Sequence, residues 1–252
     1  MADTPYDWDK HWSVYDANTQ ANPAQNFRFR LVSRMIGDLN GRRLVDIGCG
    51  QGDLLRYIDS THPALELYGF ELSASGVAAT KRKVPRAAVM ELDLFSENAM
   101  LVLADVRADI ATCSEVLEHV PDPGVFLRRA RAALVPGGHI VATVPGGPRT
   151  GFDIQIGHLR HFSRLTARQT FESAGFEVLE VRGAGFPFFN IYKMAVMVRG
   201  TKVADDYEGE TTLAFRAAMK IFGGLFRLSR HRSRFGWQIT VMARNPRTAS
   251  TS

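Results

Sequence analysis

A glycine-rich turn at residues 44–52, Leu-Val-Asp-Ile-Gly-Cys-Gly-Gln-Gly, has the residue types and spacing of a ligand-binding site. Its glycines alternate directly after a short apolar run: Gly48, Gly50 and Gly52. Such a turn lets the backbone bend sharply beyond a strand and approach a ligand without interference from Cβ atoms. A Gly-x-Gly-x-x-Gly dinucleotide pattern would need its third glycine where Asp53 stands, and a carboxylate there disfavours a pyrophosphate. The turn therefore predicts a ligand without phosphate groups.

Acidic and hydroxyl side chains stand at the ends of the first four strand candidates. In chain order they are Asp46, then Glu71 with Leu72, Asp93 with Leu94, and Ser114 with Glu115. Parallel strands end at one edge of a sheet, so these side chains are expected around the glycine turn. Glu71 can accept hydrogen bonds from both hydroxyls of a ribose. Asp93 can accept the exocyclic amine of an adenine whose ring Leu94 covers, so the set predicts a nucleoside site.

Three histidines follow the fourth and fifth strand candidates and are the candidate general bases: His119, His158 and His161. Histidine has the unperturbed pKa suited to taking a proton from a hydroxyl group near neutral pH. His158 and His161 belong to the loop at 157–163, where they could instead pin the chain by hydrogen bonds, and Ser163 or Thr166 is expected to cap the next helix. Glu115 and His119 have a metal-pair spacing if their segment is helical, but no third ligand stands out, so no metal site is predicted.

Strand and helix patterns alternate along most of the chain. The predicted strands are 43–47, 65–70, 87–92, 110–113, 139–144, 176–181 and 237–243, with 136–138 as a turn into the fifth. The predicted helices are 27–39, 54–60, 74–83, 124–134, 167–174, 188–198 and 212–228. This alternation predicts an α/β protein with a doubly wound, mostly parallel sheet covered on both faces.

The bulk composition predicts one globular α/β domain with an added segment, since the chain has 252 residues, 45% of them hydrophobic. Two cysteines indicate a reducing compartment and no disulfide scaffold. No signal peptide and no membrane-spanning stretch is recognisable, so a cytoplasmic location is expected.

Positive charge is concentrated near the end of the chain. The net charge is +5, and residues 215–234 carry six basic residues and no acidic one. Such a run is typical of contact with an anionic partner, namely nucleic acid, a membrane surface or an acidic substrate, or of an ordinary solvated helix end.

Taken in order, these motifs resemble those of a class I S-adenosylmethionine-dependent methyltransferase, and within that class the small-molecule type of ubiquinone biosynthesis. The resemblance covers about residues 40–180 and includes Ser-Glu-Val-Leu-Glu-His at 114–119 and Leu-Val-Pro-Gly-Gly at 134–138. It implies a seven-stranded sheet with 237–243 as the antiparallel strand, and S-adenosylmethionine as cofactor with S-adenosylhomocysteine as product. It also implies a role for each part of the site: the glycine turn faces the methionine moiety, Glu71 the ribose, Asp93 and Leu94 the adenine, and Ser114 and Glu115 the sulfonium.

The expected organisation has four parts. They are a helical lid at 1–40, a cofactor-binding domain at 41–185 and 235–246, a helical cap inserted at 186–234, and a polar tail at 247–252. The expected reaction is O-methylation of a small acceptor such as a secondary metabolite, a sugar or a lipid-linked intermediate, with N- or C-methylation as the alternative. An NAD-type oxidoreductase and a nucleic-acid-binding protein are the alternatives from other classes.

Nucleic acid is not an expected partner, because the fourth strand is not followed by the Asn/Asp-Pro-Pro-aromatic tetrad of base-modifying methyltransferases. Peripheral contact with a membrane through 215–234 is the alternative role of the basic run.

Overall fold

A computed structural model describes residues 6–15, 22–199 and 213–247. Seven strands form one sheet: β1 Arg43–Ile47, β2 Glu66–Glu71, β3 Ala88–Glu91, β4 Ala108–Ser114, β5 Leu134–Pro145, β6 Glu177–Ala184 and β7 Gln238–Arg244. Their order across the sheet is β3-β2-β1-β4-β5-β7-β6. Only β7 runs antiparallel to its neighbours, β5 and β6, while the other pairs are parallel. The predicted fold class and the antiparallel last strand are confirmed.

Ten α-helices surround this sheet in the described residues. They are α1 Trp8–Tyr15, α2 Pro23–Gly37, α3 Asp53–Thr61, α4 Ala74–Lys83, α5 Ala99–Ala104, α6 Pro123–Ala130, α7 Gly151–Gln155, α8 Arg164–Ser173, α9 Phe188–Arg199 and α10 Leu213–Leu225. Short 3-10 turns follow α6 at Arg131–Ala133 and α10 at Phe226–Leu228. None of the helices in the described ranges is long and apolar enough to span a bilayer.

Two apolar layers bury the faces of the sheet. On one face α5, α6 and α8 pack with Leu103, Leu127 and Phe171. On the other face α2, α3 and α4 contribute residues such as Ile36 and Leu55. Since both faces are covered, the central strands are nearly continuous apolar runs, as expected for parallel strands.

A third apolar cluster joins α2 to the segment that precedes β7. Phe27 is fully buried between Phe189 of α9 and Phe226, with ring centroids 5.6 and 5.8 Å away. This contact connects the start of the chain to the residues predicted as the cap. Residues 200–212 of the predicted cap and 248–252 of the predicted tail lie outside the described part of the chain.

Several boundaries differ from the sequence prediction. The predicted turn at 136–138 is wrong, because β5 already begins at Leu134. Gly137 has a φ of +87°, and its N–H donates to the Asn245 carbonyl. The register with β4 shifts between Ala108 and Ile110. The strand β5 therefore passes through an irregularity at this point and continues. Helix α2 begins earlier than predicted, since Asn22 caps Pro23–Gly37. Helices α5 and α7 were not predicted.

Candidate active site

The glycine turn lies between β1 and α3, at the carboxyl edge of the parallel strands. Gly48, Gly50 and Gly52 have φ values of +74°, +54° and +81°, which favour glycine. A Cβ atom on Gly48 would lie 2.7 Å from the side chain of Val116, so the turn packs more closely than any other residue type allows.

A small cavity opens beside this turn. It is lined by Asp46, Gly48, Gly50, Ser114 and Glu115 among the predicted site residues. Asp46 is buried and accepts a 2.6 Å hydrogen bond from the Thr112 hydroxyl. Burial raises the pKa of Asp46 to about 7, and the negative charge of Glu71 acts in the same direction. The side chain can therefore be neutral or ionised near physiological pH.

Glu71 ends β2 and is tied to the glycine turn. Its carboxylate accepts hydrogen bonds from the N–H of Gly50 at 2.9 Å and of Ser73 at 3.1 Å. Burial raises the pKa of Glu71, and these two hydrogen bonds oppose the shift. A Cβ atom on Gly50 would lie 2.7 Å from the ring of Trp12, so α1 covers the turn next to Glu71. Glu71 itself lines neither of the cavities described here.

The four other predicted cofactor residues, Gly52, Leu72, Asp93 and Leu94, also lie outside both cavities. Leu72 is half exposed, at 52%. Asp93 is exposed and accepts a hydrogen bond from the Phe95 N–H at 2.8 Å, which forms a turn after β3. Leu94 is buried in the main apolar core, so little of its surface is free for a ring.

Asp53 is not the uncompensated charge that the sequence prediction assumed. It is buried at the first residue of α3. Its carboxylate accepts hydrogen bonds from Gln51 Nε2 at 2.8 Å and from Lys83 Nζ at 3.0 Å. The pairing with Lys83 offsets the repulsion that a pyrophosphate would meet, so Asp53 alone does not separate the two cofactor classes.

Glu115 joins the small cavity to a larger one, because it lines both. It is not a glycine, yet it has a φ of +57°. Its Oε1 accepts hydrogen bonds from Thr143 Oγ1 at 3.0 Å and from Gln238 Nε2 at 2.8 Å, and its Oε2 lies 3.6 Å from Arg28 Nη1. These partners hold the strained residue in place at the junction. The segment 115–122 is a turn and not a helix.

The larger cavity has a volume of about 290 Å³ and lies beyond Glu115. Its aromatic walls come from distant parts of the chain: Trp8, Trp12, Phe152, Phe189, Tyr192 and Trp237. Its charged and titratable lining includes Arg28, Glu118, His119, Asp153, His158 and Lys193. Apolar walls with a few convergent polar groups are typical of a small-molecule site.

The three predicted histidines form one cluster, although His161 does not line the cavity. The rings of His119 and His158 meet edge to face with centroids 4.7 Å apart, and His158 Nδ1 is 3.1 Å from His161 Nε2. His119 Nδ1 donates to the Gly157 carbonyl at 3.1 Å, since a carbonyl can only accept. Burial lowers the pKa of His119 to about 4 and that of His158 to about 2, so both are neutral at physiological pH.

Two groups in this cluster have ligand atoms close enough to hold a metal ion: Glu118, His119 and His158, and Asp153, His158 and His161. Glu118 is fully buried with no hydrogen-bond partner for its carboxyl oxygens in the described residues, and burial raises its pKa well above the usual range. Asp153 is also buried, but its pKa is lowered despite burial, by His161, Lys193 and Thr150. Neither carboxylate was predicted as a ligand, although Glu118 is adjacent to His119 in the chain and Asp153 lies five positions before His158.

Sequence reasoning missed several lining residues. Trp8 and Trp12 lie in the predicted lid at 1–40, but neither was predicted as a site residue. Asp153 carries a local signal, because Thr150 and Asp153 form a capping box at the start of α7. Lys193 and Gln238 carry none, since each reaches the site from an element far away in sequence.

Comparison with known proteins agrees with this architecture. Residues 21–181, more than half of the chain, match the family model described as a methyltransferase domain. A ubiquinone biosynthesis O-methyltransferase of Acinetobacter baumannii (strain AYE) is 26% identical over 147 residues, which are 57% of this chain and 59% of the relative. One from Cupriavidus pinatubonensis (strain JMP 134 / LMG 1197) is 25% identical over 214 residues, 73% of this chain and 80% of the relative. The chain thus matches 59% of the length of the first relative.

A solved structure shares the fold. Phosphoethanolamine N-methyltransferase 2 of Haemonchus contortus, in complex with S-adenosyl-L-methionine, has a TM-score of 0.61 at 17% identity. The match covers 95% of this chain and 57% of that one. The family model and the strand order agree with the motifs around the glycine turn. The chain therefore belongs to the methyltransferase-domain family, as the sequence motifs predict.

Proposed function

We propose that this protein transfers the methyl group of S-adenosylmethionine to an oxygen atom of a small organic acceptor bound in the larger cavity. The observation that carries the proposal is the position of Glu115, which lines both cavities. A cofactor in the small cavity and an acceptor in the large one would meet at this residue. Methyl transfer from a sulfonium is an in-line displacement, so holding the two reactants in line is the main task of the protein.

The residues around the small cavity fit a cationic nucleoside cofactor. The glycine turn would approach the methionine moiety, and Glu71 would accept the ribose hydroxyls. Asp46, Ser114 and Glu115 would lie near the sulfonium, whose positive charge suits two buried or half-buried carboxyl groups. When bound, the cofactor supplies an electrophilic methyl group. Leu72 and Asp93 remain our candidates for the adenine end, by position after β2 and β3, whereas Leu94 is buried in the core.

We propose that α1 is the lid over this site. Its Asp9 carboxylate accepts hydrogen bonds from the Ser73 hydroxyl at 2.6 Å and the Ser75 N–H at 2.9 Å, and these hold α1 against the start of α4. Trp12 lies over Gly50 beside Glu71, so a ribose reaches Glu71 only when Trp12 moves. Helix α2 buries Phe27 in the core, which confines the lid to the part of 1–40 before it.

We propose His119 as the general base. Its Nδ1–H is held by the Gly157 carbonyl, so the lone pair of the neutral ring is on Nε2, and the residue lines the larger cavity. His158 is the second candidate, since it lines the same cavity. His161 is better placed to position His158 than to act as base, because its Nδ1 donates to the Gly147 carbonyl and its Nε2 faces His158.

The acceptor is expected to carry an aromatic or other flat apolar part, because aromatic side chains form most of the cavity wall. Residues 41–185 and 235–246 would form the cofactor-binding domain, 186–234 the cap that contributes to this wall, and 247–252 the tail. The cytoplasm is the expected compartment, since Cys49 and Cys113 are both free thiols buried in the fold.

We also propose that the basic run at 215–234 places the protein at a membrane surface. Ile221 and Leu228 are 63% and 69% exposed, close in sequence to the exposed Lys220 and Arg227. Apolar side chains among cations suit the surface of an anionic membrane, which a lipid-linked acceptor would require. Nucleic acid remains an unexpected partner.

A turnover assay tests the proposed function. The protein is incubated with S-adenosylmethionine and a panel of phenols, aliphatic alcohols and primary amines, and release of S-adenosylhomocysteine is measured. We expect turnover with hydroxylated aromatic acceptors, and a loss on the order of 100-fold in kcat for His119→Asn with unchanged cofactor affinity. His139→Asn is the matched control and should retain full turnover. Turnover with amines alone would contradict O-methylation.

A further inference from the structure

Three ligand atoms from α7 and the loop after it converge on one point. His158 Nδ1 lies 3.1 Å from His161 Nε2, and the Oδ1 atom of Asp153 lies 3.8 and 3.6 Å from these two nitrogens. All three side chains are buried, with exposed fractions of 8%, 6% and 2%. They come from within nine positions of the chain, so one local fold brings them together.

The triangle has the size of a transition-metal site. The point equidistant from its corners lies about 2.0 Å from each atom, which is the bond length of zinc to imidazole nitrogen and carboxylate oxygen. Two imidazoles and one carboxylate form a donor set that Zn²⁺ and Co²⁺ accept and that Mg²⁺, with its preference for six oxygens, does not.

Neighbouring groups orient the three ligands as they do in known metal sites. His161 donates its Nδ1–H to the Gly147 carbonyl at 3.1 Å, which leaves the lone pair on Nε2, the atom near His158 Nδ1 and Asp153 Oδ1. The other Asp153 oxygen accepts hydrogen bonds from the N–H and hydroxyl of Thr150 at 2.8 and 2.7 Å. Oδ1 is thereby kept turned toward the two histidines.

Lys193 is the one opposing group in contact with the triangle among the described residues. Its Nζ lies 3.1 Å from Asp153 Oδ1, so an ammonium and a metal ion would share this oxygen and repel each other. Lys193 thus lowers the affinity of the site without removing a ligand, and this predicts a variant that binds metal more tightly.

We propose that Asp153, His158 and His161 bind one divalent transition-metal ion of the zinc type, at the wall of the larger cavity. Asp153 and His158 both line that cavity, so the fourth coordination position has access to water or a bound molecule there. The ion fixes α7 to the loop that ends at α8. Because binding uses His158 Nδ1, it leaves the proton of this ring on Nε2. The site does not depend on the proposed methyl acceptor.

Metal binding by the full chain tests this directly. Protein treated with a chelator and then freed of it is titrated with Zn²⁺ by calorimetry, and with Co²⁺ while the visible absorption of a tetrahedral site is recorded. We expect one ion per chain and an increase in Tm on binding. His161→Gln and Asp153→Asn should each weaken Zn²⁺ binding on the order of 100-fold, whereas Lys193→Met should strengthen it.

Two controls separate the alternatives. His139 lies on β5, nearer the amino end of the strand. The variant His139→Gln should leave Zn²⁺ binding unchanged, and this result would exclude adventitious binding to surface histidines. His119→Gln should also leave it unchanged, because His119 belongs only to the other group. Binding that is lost in His119→Gln and retained in His161→Gln would overturn the proposal, and so would the absence of stoichiometric binding in the wild type. Each variant is first shown to keep the wild-type Tm within a few degrees in chelator. If His161→Gln does not, His161→Asn replaces it.

Discussion

Replacement of Asp46 by asparagine tests the electrostatics of the cofactor cavity. The asparagine side chain could still accept the hydrogen bond from Thr112 but could not ionise. In the folded chain burial raises the pKa of Asp46 to about 7, while in the unfolded chain it is about 3.9. Between these values the folded state binds a proton that the unfolded state does not, so the contribution to stability is present at low pH and is lost as pH rises through 7.

The expected size follows from linkage. Between pH 5 and pH 8 the wild type should lose on the order of 2–3 kcal/mol of unfolding free energy relative to Asp46→Asn, because the variant lacks this ionisation. Urea unfolding of both proteins is followed by tryptophan fluorescence at four pH values. The difference between their unfolding free energies is compared across pH, because the contributions of other buried acids cancel in it.

Thr112→Val is the matched control. It removes the hydrogen bond that opposes the pKa shift of Asp46, so the loss should move to a higher pH. A difference between wild type and Asp46→Asn that stays constant from pH 5 to pH 8 would refute the assignment of a raised pKa to Asp46.

Three further predictions concern the surrounding elements. Phe27→Ala should lower the unfolding free energy, measured by urea denaturation, by about 3–5 kcal/mol. The control Phe235→Ala, at a side chain that is 55% exposed, should change it by less than about 1 kcal/mol. Equal effects of the two variants would contradict the buried contact between α2 and α9. Trp12→Ala should increase the association rate of S-adenosylhomocysteine in stopped-flow fluorescence, and an unchanged rate would argue against the lid. Ile221→Glu should reduce co-sedimentation with vesicles containing phosphatidylglycerol, with no change expected for neutral vesicles. Wild-type protein that co-sediments with neither vesicle type would contradict the membrane proposal.

The cofactor half of the site was predictable because its signals are local. A glycine turn after a strand, and acidic residues at the next strand ends, are brought together by the geometry of any parallel sheet. The sequence therefore predicts that Asp46, Ser114 and Glu115 come together around the glycine turn. The same reasoning does not say which way a side chain points, and Leu94 turns into the core instead of toward the crevice.

The acceptor half was less predictable because its residues meet through long-range packing. Lys193 reaches Asp153 across 40 positions and Gln238 reaches Glu115 across 123, and neither pairing leaves a spacing pattern in the sequence. His158 and His161 were identified as candidates, but Asp153, five positions before His158, was not. The metal pair considered from the sequence, Glu115 and His119, does not belong to this group.

Secondary structure failed where tertiary contacts overrode the local signal. Pro136, Gly137 and Gly138 have the composition of a turn, yet hydrogen bonds to Asn245 carry β5 through them. Helix α5 has only six residues, too few to show an amphipathic period, although Leu103 is fully buried.

Calorimetric titration with S-adenosylhomocysteine and, separately, with NADH tests most directly whether the glycine turn and Glu71 form a methyl-donor site. We expect saturable one-to-one binding of S-adenosylhomocysteine and no binding of NADH. Affinity should be at least about tenfold weaker in Glu71→Ala, measured at a temperature where this variant is folded, because the change also removes the acceptor of the Gly50 and Ser73 N–H groups. Since Lys83 compensates the charge of Asp53, the NADH arm is a genuine discriminator. Saturable binding of NADH without binding of S-adenosylhomocysteine would contradict the account.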